Sequence, residues 1–490
     1  MKCNPLSFIM VLLKISRARC AHVGHSDNGA ARRFEPSTPF CGPRHWVKGP
    51  ALVRTCVITS CVVLFSLGEV LTTTASACTT AVVSGRVTND GRPLLWKNRD
   101  FSQKHNEVIR LTGGTYNAIG VVNAGSRTSV WMGTNDAGFC IENSLSLDLN
   151  SKTTTKGPGN GSLMRRALES CATIDDFIKL LNETEKTGRV TCGNFGVIDA
   201  NGGAAMFEVS RTGHTMFDAN DPNTAPHGYI VRANFSTTGQ KLPPLPTPSQ
   251  LAGISSAGRY LRACSLLDSQ TDAKISAEFL IRNCARDLAG PDGTCYSGTV
   301  NSTEPDLPTE IPTAETISRF TTVSAAVFHG VKDGEDASLT TMFVFLGDPK
   351  FSIAVPCWAA VSEIPDALQD KSGGEIGEVA LTLREWGFDS SEDKTLDTTN
   401  LQGIWQDVWN VEDQVLLDAR AIKDASSKAD VAAKVLAEFS HHTAALAMKT
   451  MQQELIQVKN AALSLNAPAA PTFADRPSTN EPHQPALTIE

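Results

Sequence analysis

Chemistry in this 490-residue chain centres on Cys78. The three residues before it, Ala75-Ser76-Ala77, form a small-residue cleavage site of the A-x-A kind that ends a secretory signal. A cut there makes Cys78 the first residue of a mature chain. A chain that begins with Cys can use its own α-amino group as the base for its own thiol. With a thiol pKa of about 8.5 and an α-amine pKa of about 7.7–8.0, a useful fraction of that amine is unprotonated at neutral pH. One peptide-bond cleavage then creates nucleophile and base together, with no distant histidine required. Two other readings use the same residues. Cys78 could be an ordinary cysteine just past a signal peptide, or a lipid attachment site, although lipidation favours Leu three residues ahead and Ala75 stands there. A secreted or lipid-anchored binding protein is therefore the alternative to an enzyme.

Residues 53–77 have the order of a signal peptide: Arg54, then an apolar run from Cys56 to Leu67, then Thr72-Thr73-Thr74-Ala75-Ser76-Ala77. This run and Phe8–Leu13 both fall short of the roughly 18–20 apolar residues a membrane span needs. Residues 1–52 read as an N-terminal extension, disordered or outside the true translation start, because the stretch from Arg17 to Pro50 is rich in Arg, Gly and Pro without periodicity. The whole chain has formal net charge −8; residues 1–77 hold nine basic and three acidic side chains, so the remainder has 35 basic and 49 acidic, a net of −14. That balance argues against nucleic acid or an anionic membrane surface as partner. It suits an exported protein, periplasmic or extracellular, acting on a small molecule. Eight of the 13 cysteines lie from Cys78 on, with no CxxC and no zinc-type Cys/His spacing. In an oxidising compartment some of the seven besides Cys78 could pair; the sequence does not say which.

To act, Cys78 must be positioned by the elements around it. Thr79–Ser84 reads as a strand, Asn89-Asp90-Gly91-Arg92-Pro93 as a turn and Leu94–Asp100 as the returning strand, a hairpin that brings Asp100 back beside Cys78. Further strands are expected at 117–123, 128–133, 138–144, 194–199, 204–210, 229–233, 321–329, 340–346 and 351–356. Helical spacing covers 162–184, with a second start at Thr173 before Asp175-Asp176, then 259–267 and 276–287. The pattern is α+β. From residue 366 to 465 the character is helical, with segments expected at 401–411, 415–424 and 429–459, as a packing layer, a dimer surface or a lid. The last 25 residues, 466–490, hold five prolines and read as a disordered tail.

Several pieces stand in a set order: Cys78; Lys97-Asn98-Arg99-Asp100; Ile141-Glu142-Asn143-Ser144 after Asn135-Asp136-Ala137-Gly138; Val231-Arg232-Ala233-Asn234-Phe235; and Ser255-Ser256 before Arg259. This order resembles the N-terminal-nucleophile hydrolases of linear amides: choloylglycine hydrolases, penicillin V acylases and, most of all, the acyl-coenzyme A:6-aminopenicillanate acyltransferase branch. The resemblance runs from Cys78 to about Trp358. It implies an αββα sandwich of two antiparallel sheets between helix layers, spanning 78–365, followed here by the C-terminal helical extension.

It also implies roles. Cys78 would be nucleophile and, through its amine, base. Asp100 would fix the nucleophile, Asn143 and Asn234 would form the oxyanion hole, and Arg259 (or Arg262) would be the arginine near the thiol. The family often has Arg in an Arg-Asn-x-Asp string, where this chain has Lys97 and then Arg99 at the third place; both are expected to contact substrate. The reaction would be attack on an N-acyl amide, a thioester, then water or a second amine as acceptor, with no metal or organic cofactor. Homo-oligomerisation is left open. His105, His214, His227 and His329 lie in no motif and read as structural. Gly157-Pro158-Gly159-Asn160-Gly161 is not a phosphate loop, because no Lys-Ser/Thr follows.

Overall fold

The computed structural model describes residues 77–149, 156–270, 274–289, 307–388, 394–426 and 433–465, all within one compact unit. The leader apart from Ala77, the proposed signal peptide and the proline-rich tail lie outside these residues.

Strands β1 (Ala77–Val83) and β2 (Leu94–Asp100) form the expected hairpin. The chain then meanders through β3 (Asn106–Leu111), β4 (Ala118–Asn123), β5 (Met132–Asn135) and β6 (Cys140–Leu145). Helices α1 (Asn160–Ser170) and α2 (Ile174–Thr187) follow, and β7 (Gly193–Ile198), β8 (Ala204–Val209) and β9 (His214–Asp218) complete a seven-stranded antiparallel sheet in the order β3-β4-β5-β6-β7-β8-β9. Strand β10 (Tyr229–Arg232) returns to pair with β1. After α3 (Ala257–Asp268) and the short α4 (Ala277–Phe279) come β11 (Glu310–Pro312), β12 (Thr322–His329), β13 (Thr341–Leu346) and β14 (Val355–Cys357). The second sheet is antiparallel, in the order β10-β1-β2-β12-β13-β14. Helix α5 (Glu375–Arg384), strand β15 (Thr395–Asp397), α6 (Leu401–Ser426) and α7 (Ala433–Leu465) end the described chain.

Three apolar clusters define the layers, because alternate residues of a strand face opposite sides. Val82 and Leu95 of one sheet meet Val121, Met132 and Met206 of the other. Ala81, Val83, Leu94 and Trp96 pack outward on Tyr260, Ala263 and Leu267 of α3. Ile141, Phe195 and Phe207 pack outward on Leu163 and Leu168 of α1 and Phe177 of α2. This is the αββα order of layers. Helix α2 starts at Thr173 as its residues dictate: Thr173 Oγ1 accepts from Asp176 N at 3.2 Å, and the Asp176 carboxylate accepts from Thr173 N at 3.3 Å.

The C-terminal helices enter the same clusters. Ile376 and Ala380 of α5, Trp405 and Val408 of α6 and Met448 and Met451 of α7 join the inter-sheet cluster, while Val415 and Ala419 of α6 join the outer one. Where the sequence suggests two segments, α6 is one continuous helix of 26 residues. The polar break at Glu412 is a buried ion pair, not a helix end: Glu412 accepts from Arg286 Nη1 and Nη2 at 2.7 and 2.6 Å and from Ala354 N at 3.0 Å. The helix expected over 276–287 is instead α4 running into a π-turn at Leu280–Cys284. Strands β3, β9, β11 and β15 have no counterpart among the sequence expectations, and α5 falls in the stretch 366–465 expected to be helical, outside its three expected segments. No described helix is long and apolar enough to cross a membrane.

Glu412→Ala is expected to cost about 3–5 kcal/mol in urea unfolding, because it leaves Arg286 buried without its counter-charge. The paired change Arg286→Met with Glu412→Leu should cost far less. A loss below about 1 kcal/mol for Glu412→Ala alone would show that α6 is not anchored through this pair.

Candidate active site

The β1–β2 register pairs Cys78 with Arg99, Thr80 with Lys97 and Ala77 with Asp100. Since side chains alternate, Cys78, Lys97 and Arg99 share the inter-sheet face, while Thr79 and Asp100 turn to the helix side. Cys78 is 3% exposed and lines a cavity of about 270 Å³ together with Lys97, Arg99, Trp131, Asn143 and the first turn of α1 from Gly159 to Ser162. The glycine-rich stretch before α1 is thus a cavity wall.

On the cavity side, Lys97 Nζ donates to Trp131 O at 2.8 Å and to Asn143 Oδ1 at 2.9 Å. An ammonium only donates, so the orientation of the Asn143 amide is determined: its oxygen faces Lys97. Asn143 Nδ2 has no protein acceptor among the described residues and stands at the cavity that holds Cys78. Arg99 donates to Asn106 Oδ1 and Asn123 Oδ1, both at 2.7 Å, and its guanidinium lies 4.7 Å from the Phe101 ring and 5.1 Å from the Trp131 ring. Burial pulls its pKa down to about 10, so it stays charged at neutral pH. Among the described residues no Asp or Glu lines the cavity.

On the helix side, the groups converge on the Cys78 backbone. Cys78 N, here the peptide nitrogen joined to Ala77, donates to Asn234 Oδ1 at 2.8 Å. Arg259 donates to Cys78 O at 2.5 Å, to Thr79 Oγ1 at 2.8 Å and to Asn234 Oδ1 at 2.8 Å. Asn234 Nδ2 donates to Leu145 O at 3.0 Å, and its backbone N–H to Ser256 Oγ at 3.0 Å. Ser256 holds φ of 68°, the left-handed region that a non-glycine residue rarely adopts, immediately before α3. The Asn234 side chain is thus spent on the Cys78 nitrogen and on Leu145, not aimed at an oxyanion as the resemblance suggests; Asn143 is the amide donor left at the cavity.

Asp100 does not line the cavity. Thr322 Oγ1 donates to its Oδ1 at 2.6 Å, and Arg319 Nε lies 3.9 Å from Oδ2. Burial pushes its carboxyl up to about 6, against the pull of Arg319 and Arg259. Lys97 and Arg99 stand at the cavity beside Cys78, and Arg259 stands on its backbone at the helix side. Arg262 is engaged elsewhere, with Asp287 at 2.6 Å. The four histidines each pair with a carboxylate away from the cavity: His105 with Glu378, His214 with Glu185, His227 with Asp268 and His329 with Asp90.

Sequence reasoning passes over Phe101, Trp131 and Glu142. The signal for the first was its place one residue past β2; Trp131 and Glu142 carry none beyond their neighbours. The seven described cysteines are all free, with Cys295 outside the described residues. Among the described residues no group of three His, Cys, Asp or Glu could hold a metal ion.

The family model of acyl-coenzyme A:6-aminopenicillanic acid acyl-transferase matches residues 87–304. No curated protein matches the chain. Among solved structures it is similar to penicillin V acylase from Agrobacterium tumefaciens, at 14% identity over 60% of this chain and 89% of that one, TM-score 0.34. It is also similar to a variant of conjugated bile acid hydrolase from Clostridium perfringens, at 13% identity over 61% of this chain and 95% of that one, TM-score 0.35. A third is penicillin G acylase from Alcaligenes faecalis, at 10% identity over 41% and 51%, TM-score 0.27. The matched segment starts after Cys78 and includes Lys97, Arg99, Asp100, Asn143, Asn234 and Arg259; over residues 87–304 the chain thus matches the acyltransferase family that its ordered motifs predict.

Proposed function

We propose that this protein is an exported N-terminal-nucleophile hydrolase that cleaves a linear amide C–N bond, or transfers its acyl group, through a thioester on Cys78. The observation that carries this reading is the division of labour around one residue. The Cys78 backbone is held on one face of β1, its nitrogen by Asn234 and its carbonyl by Arg259, while the Cys78 side chain shares a cavity on the other face with an uncommitted amide donor, Asn143.

Removal of residues 1–77 turns the Cys78 nitrogen into an α-amine where Asn234 Oδ1 already accepts its hydrogen. The amine takes the thiol proton, and the sulfur attacks the carbonyl carbon. The carbonyl oxygen gains charge and accepts from Asn143 Nδ2, a contact of a kind that contributes about 2.7–4 kcal/mol. The C–N bond breaks, the ammonium proton passes to the leaving nitrogen, and the acyl group stays on sulfur. Water, activated by the same amine, then releases the acid and restores the thiol; a second amine in its place gives acyl transfer. Asp100, opposite the residue removed, faces the new ammonium.

The substrate we infer is a compact amide carrying an anionic group. Arg99 is buried, its hydrogen bonds go to neutral amides, and among the described residues no carboxylate lines the cavity to offset it. The volume lies below the roughly 300–1,000 Å³ of ordinary ligand pockets.

Mass spectrometry of the secreted protein is expected to show a chain beginning at Cys78 with a free amine, and Cys78→Ala is expected to abolish hydrolysis of chromogenic N-acyl amides without changing the melting temperature. Full activity in Cys78→Ala, or a diacylglycerol adduct on Cys78, overturns the reading. For substrates matched except for a carboxylate or its methyl ester, Arg99→Met should lower kcat/KM about tenfold or more for the acid, about 1.4 kcal/mol, and leave the ester within about twofold. Equal losses on both would remove the anion preference.

The pH profile tests Asp100 and Arg259 together. Wild-type activity should fall as pH drops through about 6, where the Asp100 carboxylate is protonated and its hold on the ammonium ends. Asp100→Asn should be slower by about tenfold, roughly 1.4 kcal/mol of barrier, and lose this limb. Arg259→Ala removes a charge that holds the Asp100 pKa down, so the limb should move to higher pH. An unmoved limb in both variants would detach the two residues from the nucleophile.

A further inference from the structure

Glu142 is a fully buried carboxyl that the mechanism above does not use. It sits on β6 next to Asn143 and reaches across the inter-sheet space to β1, where Thr80 Oγ1 donates to its Oε1. Gly196 N on β7 donates to the same oxygen at 3.0 Å. Its other oxygen, Oε2, makes no hydrogen bond among the described residues. The carboxyl packs closely on β7: a Cβ on residue 196 would lie 2.2 Å from Glu142 Oε1 and 2.7 Å from Leu95 Cδ1, so a larger residue there would displace the carboxyl. The surroundings are the apolar side chains of the inter-sheet cluster, Val82 and Leu95 among them. A carboxyl in such a place needs a reason, because burial disfavours its charge.

That reason lies across the hairpin. Thr80, which binds Glu142, is paired in register with Lys97, whose ammonium fixes the Asn143 amide. We propose that Glu142 is a positioning residue: with Lys97 it forms a buried couple beneath the cavity that keeps Lys97 charged and thereby holds Asn143 Nδ2 toward the Cys78 thiol. This rests on the proposed amidase reading. The link is the difference between the two forms of lysine. The ammonium can only donate, so Asn143 must offer its oxygen and turn its nitrogen to the cavity. A neutral amine has a lone pair that can accept from Asn143 Nδ2, and the amide can then turn over and withdraw its donor from the oxyanion.

The electrostatics agree in sign. Burial pulls the Lys97 ammonium down, and the charges of Cys78 from β1, Glu142 from β6 and Asp100 from β2 hold it up, with Arg99 opposing them. Burial pushes Glu142 up to about 7, and the Lys97 charge restrains that rise. Each charge therefore supports the other.

Two measurements test this. In steady-state kinetics with a chromogenic amide, Glu142→Gln removes the charge that supports Lys97, so the alkaline limb of kcat should move to lower pH, with kcat about tenfold lower at pH above 8 and KM within about twofold. Lys97→Arg in the Glu142→Gln background should restore that limb, because a guanidinium does not lose its proton there. An unmoved alkaline limb in Glu142→Gln overturns the proposal. The second measurement does not need activity. In infrared difference spectra of Cys78→Ala, a buried carboxyl band should titrate near neutrality, be absent from Cys78→Ala with Glu142→Gln, and persist to higher pH once Lys97→Met removes the neighbouring cation. A missing band, or one that Lys97→Met leaves in place, overturns the couple. Wild-type protein without amidase activity would instead overturn the proposed function, and the infrared titration would still decide whether the couple exists.

Discussion

The antiparallel register of β1 against β2 is the constraint on which the site depends. It sets Cys78 against Arg99 and Thr80 against Lys97 on the face between the sheets, and Ala77 against Asp100. A slip of one residue would exchange the two faces. The thiol would then meet the helix layer, and Arg259 would meet an apolar space. The outer pairing of β2 with β12, which sets Asp100 against Thr322, and of β1 with β10 holds the hairpin from both sides. Cys78 is thus carried on an inner strand of a six-stranded sheet, flanked by paired strands on both sides.

The cations of this region differ in what opposes them. Arg286 is matched by Glu412 and Lys350 by Asp348, both fully buried, and these pairs tie the C-terminal helix and the sheet edge into the core. The cations near Cys78 are satisfied mostly by neutral acceptors: Lys97 by a backbone carbonyl and an asparagine, Arg99 by two asparagines, Arg259 by a carbonyl, a threonine and an asparagine. Hydrogen bonds are satisfied there while positive charge is left over. In a low-dielectric site that surplus favours an oxyanion formed beside it.

Much of this was legible in the sequence, for definable reasons. The hairpin follows from a β-branched run, an Asn-Asp-Gly turn and a returning run, and the two-residue period alone places Lys97 and Arg99 on one face and Asp100 on the other. The resemblance to the linear-amide hydrolases, and not residue type alone, named Asn143, Asn234 and Arg259. What sequence cannot carry is which atom of an amide meets which cation. Lys97 and Asn143 are 46 residues apart and Asn234 and Cys78 are 156 apart, so their contacts exist only after the sheets close. Glu142 was opaque because a charged residue in a strand reads as solvent-facing. Strand β3 was opaque for the same reason: Asn106-Glu107-Val108-Ile109-Arg110-Leu111 carries two charges, yet Glu107 is buried and accepts from Gly125 N at 2.7 Å. At Glu412 the opposite error arose, since a polar run looked like the end of a helix that in fact passes straight through.

The intact Ala77–Cys78 bond lies inside β1, with Ala77 only 8% exposed and hydrogen-bonded in register to the neighbouring strand. A peptidase must draw several residues of extended chain into its own cleft, and a strand already zipped into a sheet does not offer them. On the proposed function, an external enzyme would therefore reach this bond only before the hairpin closes, and the cut would compete with folding. A chain that folds first keeps its nitrogen acylated and is trapped with a complete cavity and no base. The partition between the two outcomes would then depend on how fast β1 and β2 pair relative to that cut, so folding rate, and not only the amount made, would govern how much of this protein is competent.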